Sequence, residues 1–477
     1  FTVNRQFHPF WYTLGAYDSY TGEYHINRIN DNGTDYLSYS EGPKYITNTL
    51  YSDSRLNYAR DFGKHAVTGL LVLTAYEKVQ ANAGSLQLSL PSRNAGLSGR
   101  FTYGYDKRYF AEFNFGYNGS ERFHEKHRWG FFPAAAFAWR VKEESFLKEV
   151  DAISDLKLRL GWGKTGQQDT GREYYTATYK KSTSNHHLYP IGGGDNTGLL
   201  YRPLAYNDDL TWETTTTWNV GLDYGMFDQR LVLNFDAYYR KTTDLLSETT
   251  IPAGQNFDNK LLKNAGTLEN KGFEVAVTGR PIQTKDWFVE LSVNAAYNKN
   301  EITELAGGRD MIEAGMTVGQ AQPITYHKVG KPANSFLVYQ QVYDENGRPI
   351  MGCYVDRNGD GSIDENDRYF YKNIVAPWTG GFSFKVSYKN WDLGSNFRAS
   401  FGNYLYNGYA ESKANTSVLC NPKGYYENCT KEIAALGWTS YNYPRTDYFV
   451  QNASFLKCDN ITLGYNFDNV FKMGNYK

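Results

Sequence analysis

The sequence predicts an all-β protein, an antiparallel transmembrane β-barrel, and three observations support this prediction. Many segments alternate apolar and polar residues, as strands do when one face is apolar and the other polar. Tight turns between these segments alternate with long polar connections, a loop pattern that membrane barrels have and compact soluble domains rarely show. Aromatic residues make up 17% of the chain, an excess that suits the aromatic girdles at the two membrane–water interfaces.

Residues 218–240 show the strand pattern most clearly. In the first arm, one face carries Trp218, Val220, Leu222 and Tyr224, and the other carries Asn219, Gly221, Asp223 and Gly225. In the second arm, one face carries Leu231, Leu233, Phe235, Ala237 and Tyr239, and the other carries Val232, Asn234, Asp236, Tyr238 and Arg240. Each arm runs about ten residues, the length that a tilted strand needs to cross a bilayer. We expect an antiparallel hairpin whose apolar faces contact lipid and whose polar faces line the lumen.

Other strands are predicted along the whole chain. Residues 1–60 give weak strand patterns with Gly, Asn and Asp breaks, and a turn at 61–65 then leads into a strong strand. Further alternating segments cover 67–73, 101–105, 109–117, 131–141, 156–166, 273–280, 287–298, 382–401 and 461–467. No strand–helix–strand alternation and no helix of useful length is predicted, which favours an antiparallel meander of strands.

Four long connections separate groups of these strands. They span about 165–209, 242–271, 301–379 and 402–450. Outer-membrane barrels have short turns on the periplasmic side and long loops on the external side. We therefore predict a single barrel domain over residues 1–477 with these four connections as extracellular loops.

The composition excludes several classes of protein. The net charge is −1 and the pI is about 6.8, so no overall field indicates a nucleic-acid partner. The mean hydropathy is −0.61, and no apolar run approaches the ~20 residues that a membrane-spanning helix needs. A helical membrane protein is thereby excluded, whereas a barrel is not, because its lumen and loops dilute a thin apolar band.

Residues 356–367 read DRNGDGSIDEND and match the start of a calcium-binding loop. The predicted ligands are Asp356, Asn358, Asp360, Ser362 through its carbonyl, Asp364 and Asp367. Position 12 is Asp367 and not the longer Glu that chelates with both oxygens. The flanks are strand-like, so we expect a structural Ca²⁺ that orders a long loop; a solvated turn built from Asp and Gly is the alternative.

Other candidate sites lie in the long connections. Tyrosines that could contact a substrate there are Tyr174, Tyr175, Tyr201 and Tyr206. Cys420 and Cys429 flank a short polar loop and could close it as a disulfide in an oxidising compartment, or be two unpaired thiols. Acidic residues on the polar strand faces occur singly, so no glycosidase pair can be identified and we predict that the protein is not an enzyme.

Several segments resemble one family. The segments LKLRLGWGKTG at 156–166, NAGTLENKGFEVAV at 264–277, DRNGDGSIDEND at 356–367 and FLKCDNITLGYNF at 455–467 are similar to the SusC family of TonB-dependent outer-membrane transporters from Bacteroidetes. The segments at 56–72 and 108–123 look like strands of the same family. The resemblance covers nearly the whole chain, and the motifs come in the family's order.

The resemblance implies both a fold and a set of partners. Members have a barrel of about 22 strands filled by a plug and covered by a SusD-like lipoprotein, and they import glycans or oligopeptides driven by TonB, ExbB and ExbD. We find only part of such a barrel and neither a plug nor a TonB box, so we expect those parts to lie outside this chain.

Two other hypotheses stay open on the sequence alone. A secreted or surface carbohydrate-binding β-protein would use its Tyr and Trp to stack on sugars, and its apolar strand faces would turn inward into a sandwich core. A glycan-cleaving enzyme would need two convergent carboxylates. Transport across the outer membrane is the leading hypothesis.

Overall fold

The computed structural model is dominated by β-strands. It describes residues 2–8, 12–28, 38–81, 89–170, 205–251, 254, 260–318, 322–412, 431–436, 438 and 445–467. Short helices occur at Val141–Glu143, Ala306–Gly308, Glu365–Asp367, Gly408–Ser412, Lys431–Leu436 and Asp447–Phe449. No helix in these ranges is long and apolar enough to span a membrane.

The strands in these ranges follow one another along the chain. They are β1 (Thr2–His8), β2 (Tyr12–Asp18), β3 (Glu23–Arg28), β4 (Ser38–Phe62), β5 (His65–Ala81), β6 (Ser92–Tyr105), β7 (Tyr109–Ser120), β8 (Trp129–Arg140), β9 (Ile153–Gln167), β10 (Glu213–Met226), β11 (Leu231–Thr243), β12 (Leu246–Thr250), β13 (Lys260–Asn264), β14 (Gly266–Gln283), β15 (Trp287–Leu305), β16 (Met311–Glu313), β17 (Thr317–Val318), β18 (Gln322–Pro323), β19 (Thr325–Lys328), β20 (Ser335–Val338), β21 (Gln341–Tyr343), β22 (Pro349–Tyr354), β23 (Tyr369–Asn373), β24 (Trp378–Tyr388), β25 (Trp391–Phe401), β26 (Tyr404–Tyr406), β27 (Val450–Asn452) and β28 (Phe455–Tyr465).

Fourteen of these strands form one sheet in the order β1-β4-β5-β6-β7-β8-β9-β10-β11-β14-β15-β24-β25-β28. Every neighbouring pair is antiparallel. The predicted hairpin of residues 218–240 is β10 with β11, in unbroken register from Thr214–Thr243 to Met226–Leu231. Because the sheet order follows the chain order, this is the up-and-down wall of a barrel.

The connections between the sheet strands alternate in kind. Short turns span 63–64, 106–108, 227–230, 284–286 and 389–390, and a somewhat longer turn spans 141–152. The other connections span 9–37, 82–91, 121–128, 168–212, 244–265, 306–377 and 402–454. Since neighbouring strands are antiparallel, all the turns lie at one rim of the sheet, the short-turn rim, and all the other connections lie at the opposite rim, the long-loop rim.

One short turn illustrates why these hairpins are tight. Asp106 and Lys107 have φ angles of 52° and 56°, the left-handed conformation that both central residues of a type I′ turn adopt. That turn type twists in the same sense as the flanking strands, so β6 and β7 pair to their last residues, Tyr105 and Tyr109.

One face of the sheet is apolar across the strands whose side chains are described. Cross-strand partners share a face, and the row Leu160, Val220, Ala237 and Phe273 is one example. Trp218 and Val220 on this face are 57% and 53% exposed. A continuous exposed apolar face suits contact with lipid and not with water.

Aromatic residues bound this apolar face at both rims. On four strands two aromatics of the same face stand ten residues apart, namely Trp129 and Trp139, Trp287 and Tyr297, Trp378 and Tyr388, and Trp391 and Phe401. Ten residues of a strand tilted by about 40° span about 26 Å along the membrane normal. This is the height of the apolar band in outer-membrane barrels, so the transmembrane prediction is confirmed by the fold.

The buried apolar clusters lie at the long-loop rim and not between two sheets. One cluster joins Phe123, Leu210, Trp212 and Leu262, and another joins Ile324, Phe336, Val338 and Val450. The alternative hypothesis of a carbohydrate-binding sandwich requires the apolar strand faces to be buried against a second sheet. That prediction is wrong for the described strands, whose apolar face is exposed.

Charging the apolar face should destabilise the protein in a membrane. Val293 is half exposed on this face, between Trp287 and Tyr297 on the same strand. We predict that Val293→Arg lowers the free energy of unfolding of the full-length protein in phospholipid vesicles by about 2–4 kcal/mol. Denaturant titration of folded fractions measures this value.

The neighbouring Ser292 gives a matched control. It lies on the opposite face, where its hydroxyl is 3.0 Å from that of Thr278. Ser292→Arg should cost about 1 kcal/mol or less, the value of one hydrogen bond. Equal costs for the two variants would contradict a lipid-facing assignment of Val293.

Candidate functional site

The polar face of the sheet is organised around arginine–carboxylate pairs. Arg159 on β9 donates to both carboxylate oxygens of Asp223 on β10, with Nε–Oδ2 at 3.0 Å and Nη2–Oδ1 at 2.9 Å. It also donates to both oxygens of Asp236 on β11, at 3.0 and 2.9 Å. A side chain at Gly221 would place its Cβ 2.6 Å from the Arg159 guanidinium carbon, so glycine makes room for this bridge across three strands.

The same pattern recurs elsewhere on this face. Arg100 and Glu112 form a two-bond pair at 3.1 and 2.8 Å, and Arg280 lies 2.8 Å from Glu290. Asn234 donates to Asp223 at 3.0 Å, on the face that the sequence predicted to line the lumen. Glu112, Asp223, Asp236 and Glu290 on this face are therefore each paired with an arginine by charge-assisted hydrogen bonds.

The connections 306–377 and 402–454 fold together at the long-loop rim. We call their described residues the loop cap. A four-stranded sheet of β16, β19, β20 and β23 packs there. Its buried residues Phe336 and Val338, with Ile324 just before β19, form one apolar cluster with Val450 from the second connection. The sequence predicted these connections as extracellular loops. Their strands could not be predicted because they are too short to show a period.

Side chains clamp the two connections of the loop cap to each other. Asp447 accepts from the backbone amide of Gln341 at 3.0 Å and from the hydroxyl of Tyr369 at 2.7 Å. Arg445 donates to Glu365 at 2.7 Å. These contacts join positions that are about 80 to 106 residues apart in the chain, so the cap is one folded unit and not two separate loops.

Glu411 is a buried acid in the loop cap that sequence reasoning missed. It is 4% exposed and accepts a hydrogen bond from the hydroxyl of Tyr406 at 2.8 Å. The backbone amide of Arg445 is 3.4 Å from the same carboxylate. Burial raises the pKa of Glu411 above its ordinary value. The sequence carries no signal for this residue, because it lies in a region without periodic pattern.

The six predicted calcium ligands lie in one turn of the loop cap. Asp356 accepts from the backbone amides of Gly359 and Gly361 at 2.6 and 2.8 Å, and Asp360 accepts from the amide of Ser362 at 2.8 Å. Gly361 has a φ of +82°, the conformation that the sixth position of such a loop needs. The turn thus has the backbone shape of the predicted loop.

Asp367 differs from the other ligands because it is fully buried. Its carboxylate accepts from the amides of Asp364 and Arg357, both at 2.8 Å. These amides, with that of Asn358, hold the pKa of Asp367 below its ordinary value. Among the described residues, no three His, Cys, Asp or Glu side chains are grouped as a metal site. The donors are all oxygens, as Ca²⁺ prefers, but their grouping around an ion stays a prediction.

The remaining predicted site residues are only partly described. Tyr206 lies in the connection before β10 and is 45% exposed, at the long-loop rim. The predicted substrate residues Tyr174, Tyr175 and Tyr201 lie outside the described residues, as do Cys420 and Cys429. The cysteines that the structure does describe, Cys353 and Cys458, are free and exposed.

An antiparallel meander with an exposed apolar band, two aromatic girdles and a charged inner face defines the wall of a transmembrane β-barrel. Comparison with known proteins makes the assignment specific. Residues 1–470 match the family model described as "TonB dependent receptor-like, beta-barrel". The chain belongs to this family, and it is therefore an outer-membrane protein.

Similar proteins agree with the family and with the predicted resemblance. The chain is 45% identical to the TonB-dependent receptor SusC of Bacteroides thetaiotaomicron over 399 residues, covering 82% of this chain and 40% of SusC. It is 31% identical to the TonB-dependent receptor P26 of Formosa agariphila, covering 80% of this chain and 40% of P26. The chain thus spans less than half the length of these curated relatives.

A solved structure of the RagAB peptide transporter has a similar fold. The TM-score is 0.70 at 23% sequence identity, and the match covers 91% of this chain and 50% of the other. This likeness supports the barrel architecture.

The buried Glu411 should make the loop cap less stable as the pH rises. A carboxyl whose pKa is raised by folding favours the folded cap when protonated, and this contribution is lost as the pH rises from about 4.5 through the raised pKa. We predict that Glu411→Gln, which keeps an acceptor for Tyr406, removes this pH dependence. Proteolysis of residues 402–454 in the full-length protein, measured as a rate against pH, tests it.

The control is Glu304→Gln, in an exposed position at the same rim. It should leave the pH dependence of the proteolysis rate unchanged. If the parent and Glu411→Gln show the same pH dependence, the charge of Glu411 is not coupled to the folding of the loop cap.

Proposed function

We propose that this chain is the barrel wall of a TonB-dependent importer that carries a glycan or oligopeptide across the outer membrane together with a SusD-like lipoprotein. The observation that carries the proposal is the 45% identity to SusC over 82% of the chain. The fold of the RagAB peptide transporter gives independent support for the barrel alone. TonB, ExbB and ExbD would act through parts of the protein outside this chain.

The inner face is chemically suited to a polar cargo. Its arginines and carboxylates are already paired across strands, as in Arg159 with Asp223 and Asp236. Paired charges are well hydrated but produce no strong electrostatic field of one sign. The inner face therefore neither binds tightly nor repels a neutral sugar or a zwitterionic peptide. We infer that discrimination between cargoes resides at the long-loop rim, where the loop cap and Tyr206 lie.

We also propose that the chain has no catalytic role. Hydrolysis of a glycoside needs one carboxyl that is protonated and a second that is free to act as base or nucleophile. Glu112, Asp223, Asp236 and Glu290 instead each accept hydrogen bonds from an arginine. These contacts use the carboxylate oxygens for hydrogen bonds across the wall, which suits a structural function.

The importer proposal predicts a stoichiometric partner. We expect the full-length protein, extracted in detergent from its own outer membrane, to co-purify with a SusD-like lipoprotein, and the ligand held by the pair to be a glycan or oligopeptide. Mass spectrometry of the complex identifies both. Recovery of the protein without such a lipoprotein, or from the soluble fraction, would contradict the proposal.

We further propose that residues 356–367 bind a structural Ca²⁺ that orders the loop cap. The backbone shape of the turn and its oxygen donors support this, and Glu365 within it binds Arg445 of the second connection. Calcium should therefore protect residues 340–375 of the full-length protein from proteolysis. The double variant Asp356→Ala, Asp360→Ala should lose the protection, as measured by cleavage with calcium or with a chelator.

Asp344 provides the matched control for this experiment. It lies in the neighbouring turn between β21 and β22, where it accepts from the amides of Asn346 and Arg348. Asp344→Ala should keep the calcium-dependent protection. If cleavage of the parent protein is the same with and without calcium, residues 356–367 form only a turn.

A further inference from the structure

A cleft of about 660 Å³ lies at the long-loop rim, between the hairpin of β12 and β13 and the loop cap. We call it the edge cleft. One wall is formed by residues 246–249 of β12, and the other is formed by Arg309 and residues 311–315, which include β16. Tyr326 and His327 of β19 also line it. The edge cleft is therefore separate from the paired charges of the inner face.

Both walls of the edge cleft are strands at the edge of a sheet. In the part of the chain that the structure describes, β16 has β19 as its single neighbour and β12 has β13 as its single neighbour. The N–H of Ala314 and the C=O of Asp310 form hydrogen bonds on the β19 side. Since backbone groups alternate in direction along an antiparallel strand, the N–H and C=O groups of Met311 and Glu313 point away from β19. They form a free edge with which a further strand can pair.

The walls of the edge cleft are held in place by other contacts of the rim. Leu262 of β13 packs in the first apolar cluster of the rim, and the side-chain amide of Asn264 donates to the carbonyl of Thr211 at 2.7 Å. On the other wall, Lys328 of β19 lies 3.1 Å from Asp310. A ligand that enters a preformed cleft pays little for ordering it.

Exposed charges lie at the two ends of the free edge. Arg309 and Glu313 are four residues apart, so their Cα atoms lie at most about 14 Å from each other. Among the described residues, neither charged group has an ion pair or a hydrogen bond. Burial lowers the pKa of His327, which favours a neutral imidazole near pH 7. The free edge is therefore bounded by an unpaired cation and an unpaired anion.

This arrangement restricts the class of ligand. An extended peptide can pair its backbone with a strand edge, whereas a sugar chain has no regularly spaced N–H groups. Of the described lining residues, Tyr326 has the largest aromatic ring, but it is 7% exposed and lies under the Arg368 guanidinium, so it presents no open face to a sugar. The terminal carboxylate and ammonium of a free peptide carry the charges that complement Arg309 and Glu313.

We propose that the edge cleft binds an oligopeptide of about four residues by strand addition to β16. The C-terminal carboxylate contacts Arg309 and the N-terminal ammonium contacts Glu313, so the peptide runs antiparallel to β16. Its backbone pairs with Met311 and Glu313. This inference rests on the proposed function, because it takes the peptide to be the imported cargo, and it selects oligopeptides over glycans.

The test measures peptide binding by titration calorimetry on the full-length protein, purified in detergent together with its lipoprotein. The probe is tetra-alanine with free termini, which offers a backbone and two charges but no specific side chain. We expect C-amidated, N-acetylated and backbone N-methylated tetra-alanine each to bind about tenfold more weakly. The first two lose a charge-assisted hydrogen bond, and the third loses the N–H groups that pair with the edge.

Two variants assign the two ends of the peptide. Arg309→Gln should weaken the binding of tetra-alanine about tenfold but should bind the C-amidated form as tightly as the parent does, because that contact is already missing. Glu313→Gln should behave in the same way toward the N-acetylated form. Arg348→Gln and Glu345→Gln make the same changes in the exposed turn between β21 and β22, outside the edge cleft, and should leave all affinities unchanged.

Three results would overturn the inference. The parent protein binds the modified peptides as tightly as tetra-alanine; or maltotetraose, a neutral glycan, binds the parent and is weakened by both cleft variants; or the cleft variants release the lipoprotein, which would assign the free edge to a segment of that partner. Each of these results, obtained with a parent protein that holds its lipoprotein, leaves the importer proposal standing. A parent protein without a lipoprotein contradicts the importer proposal itself.

Discussion

The structure depends on one constraint, the need to satisfy every backbone N–H and C=O group within a bilayer. A sheet of fourteen antiparallel strands meets this need by pairing each strand with its neighbours in chain order. Once that pairing is fixed, side chains must alternate between lipid and lumen, and connections must alternate between the two rims. The apolar band, the girdles, the paired charges and the loop cap all follow from this arrangement.

The two faces of the sheet have different surroundings, lipid at the outer face and the lumen at the inner face. On the outer face, exposed aliphatic and aromatic residues are stable only because lipid replaces water around them. On the inner face, a guanidinium such as that of Arg159 is placed between carboxylates of two neighbouring strands, so that its charge is compensated by the wall itself. Gly221 lies opposite Arg159 and has no side chain. This leaves the space that the Arg159 guanidinium occupies.

The sequence predicted the strands well because alternation is a local pattern. The antiparallel pairing of β10 with β11 and the assignment of Asp223 and Asp236 to the polar face followed from residues 218–240 alone. The bridge from Arg159 to these residues was not predictable, because it joins positions 64 and 77 residues apart. The loop cap was missed for a related reason: strands such as β20 and β21 have four and three residues, too few for a period, and they are held by contacts such as Asp447 with Tyr369.

The clamp within the loop cap limits how the two long connections can diverge among relatives. Asp447 and Arg445 of one connection form hydrogen bonds with Tyr369 and Glu365 of the other. A substitution of either partner therefore removes a hydrogen bond between the connections. If one connection alone were exchanged between two relatives, its side chains would not match their hydrogen-bond partners on the other connection. If both connections were exchanged together, these partners would be kept. We therefore expect the two connections of the loop cap to change together, while the wall beneath them is kept.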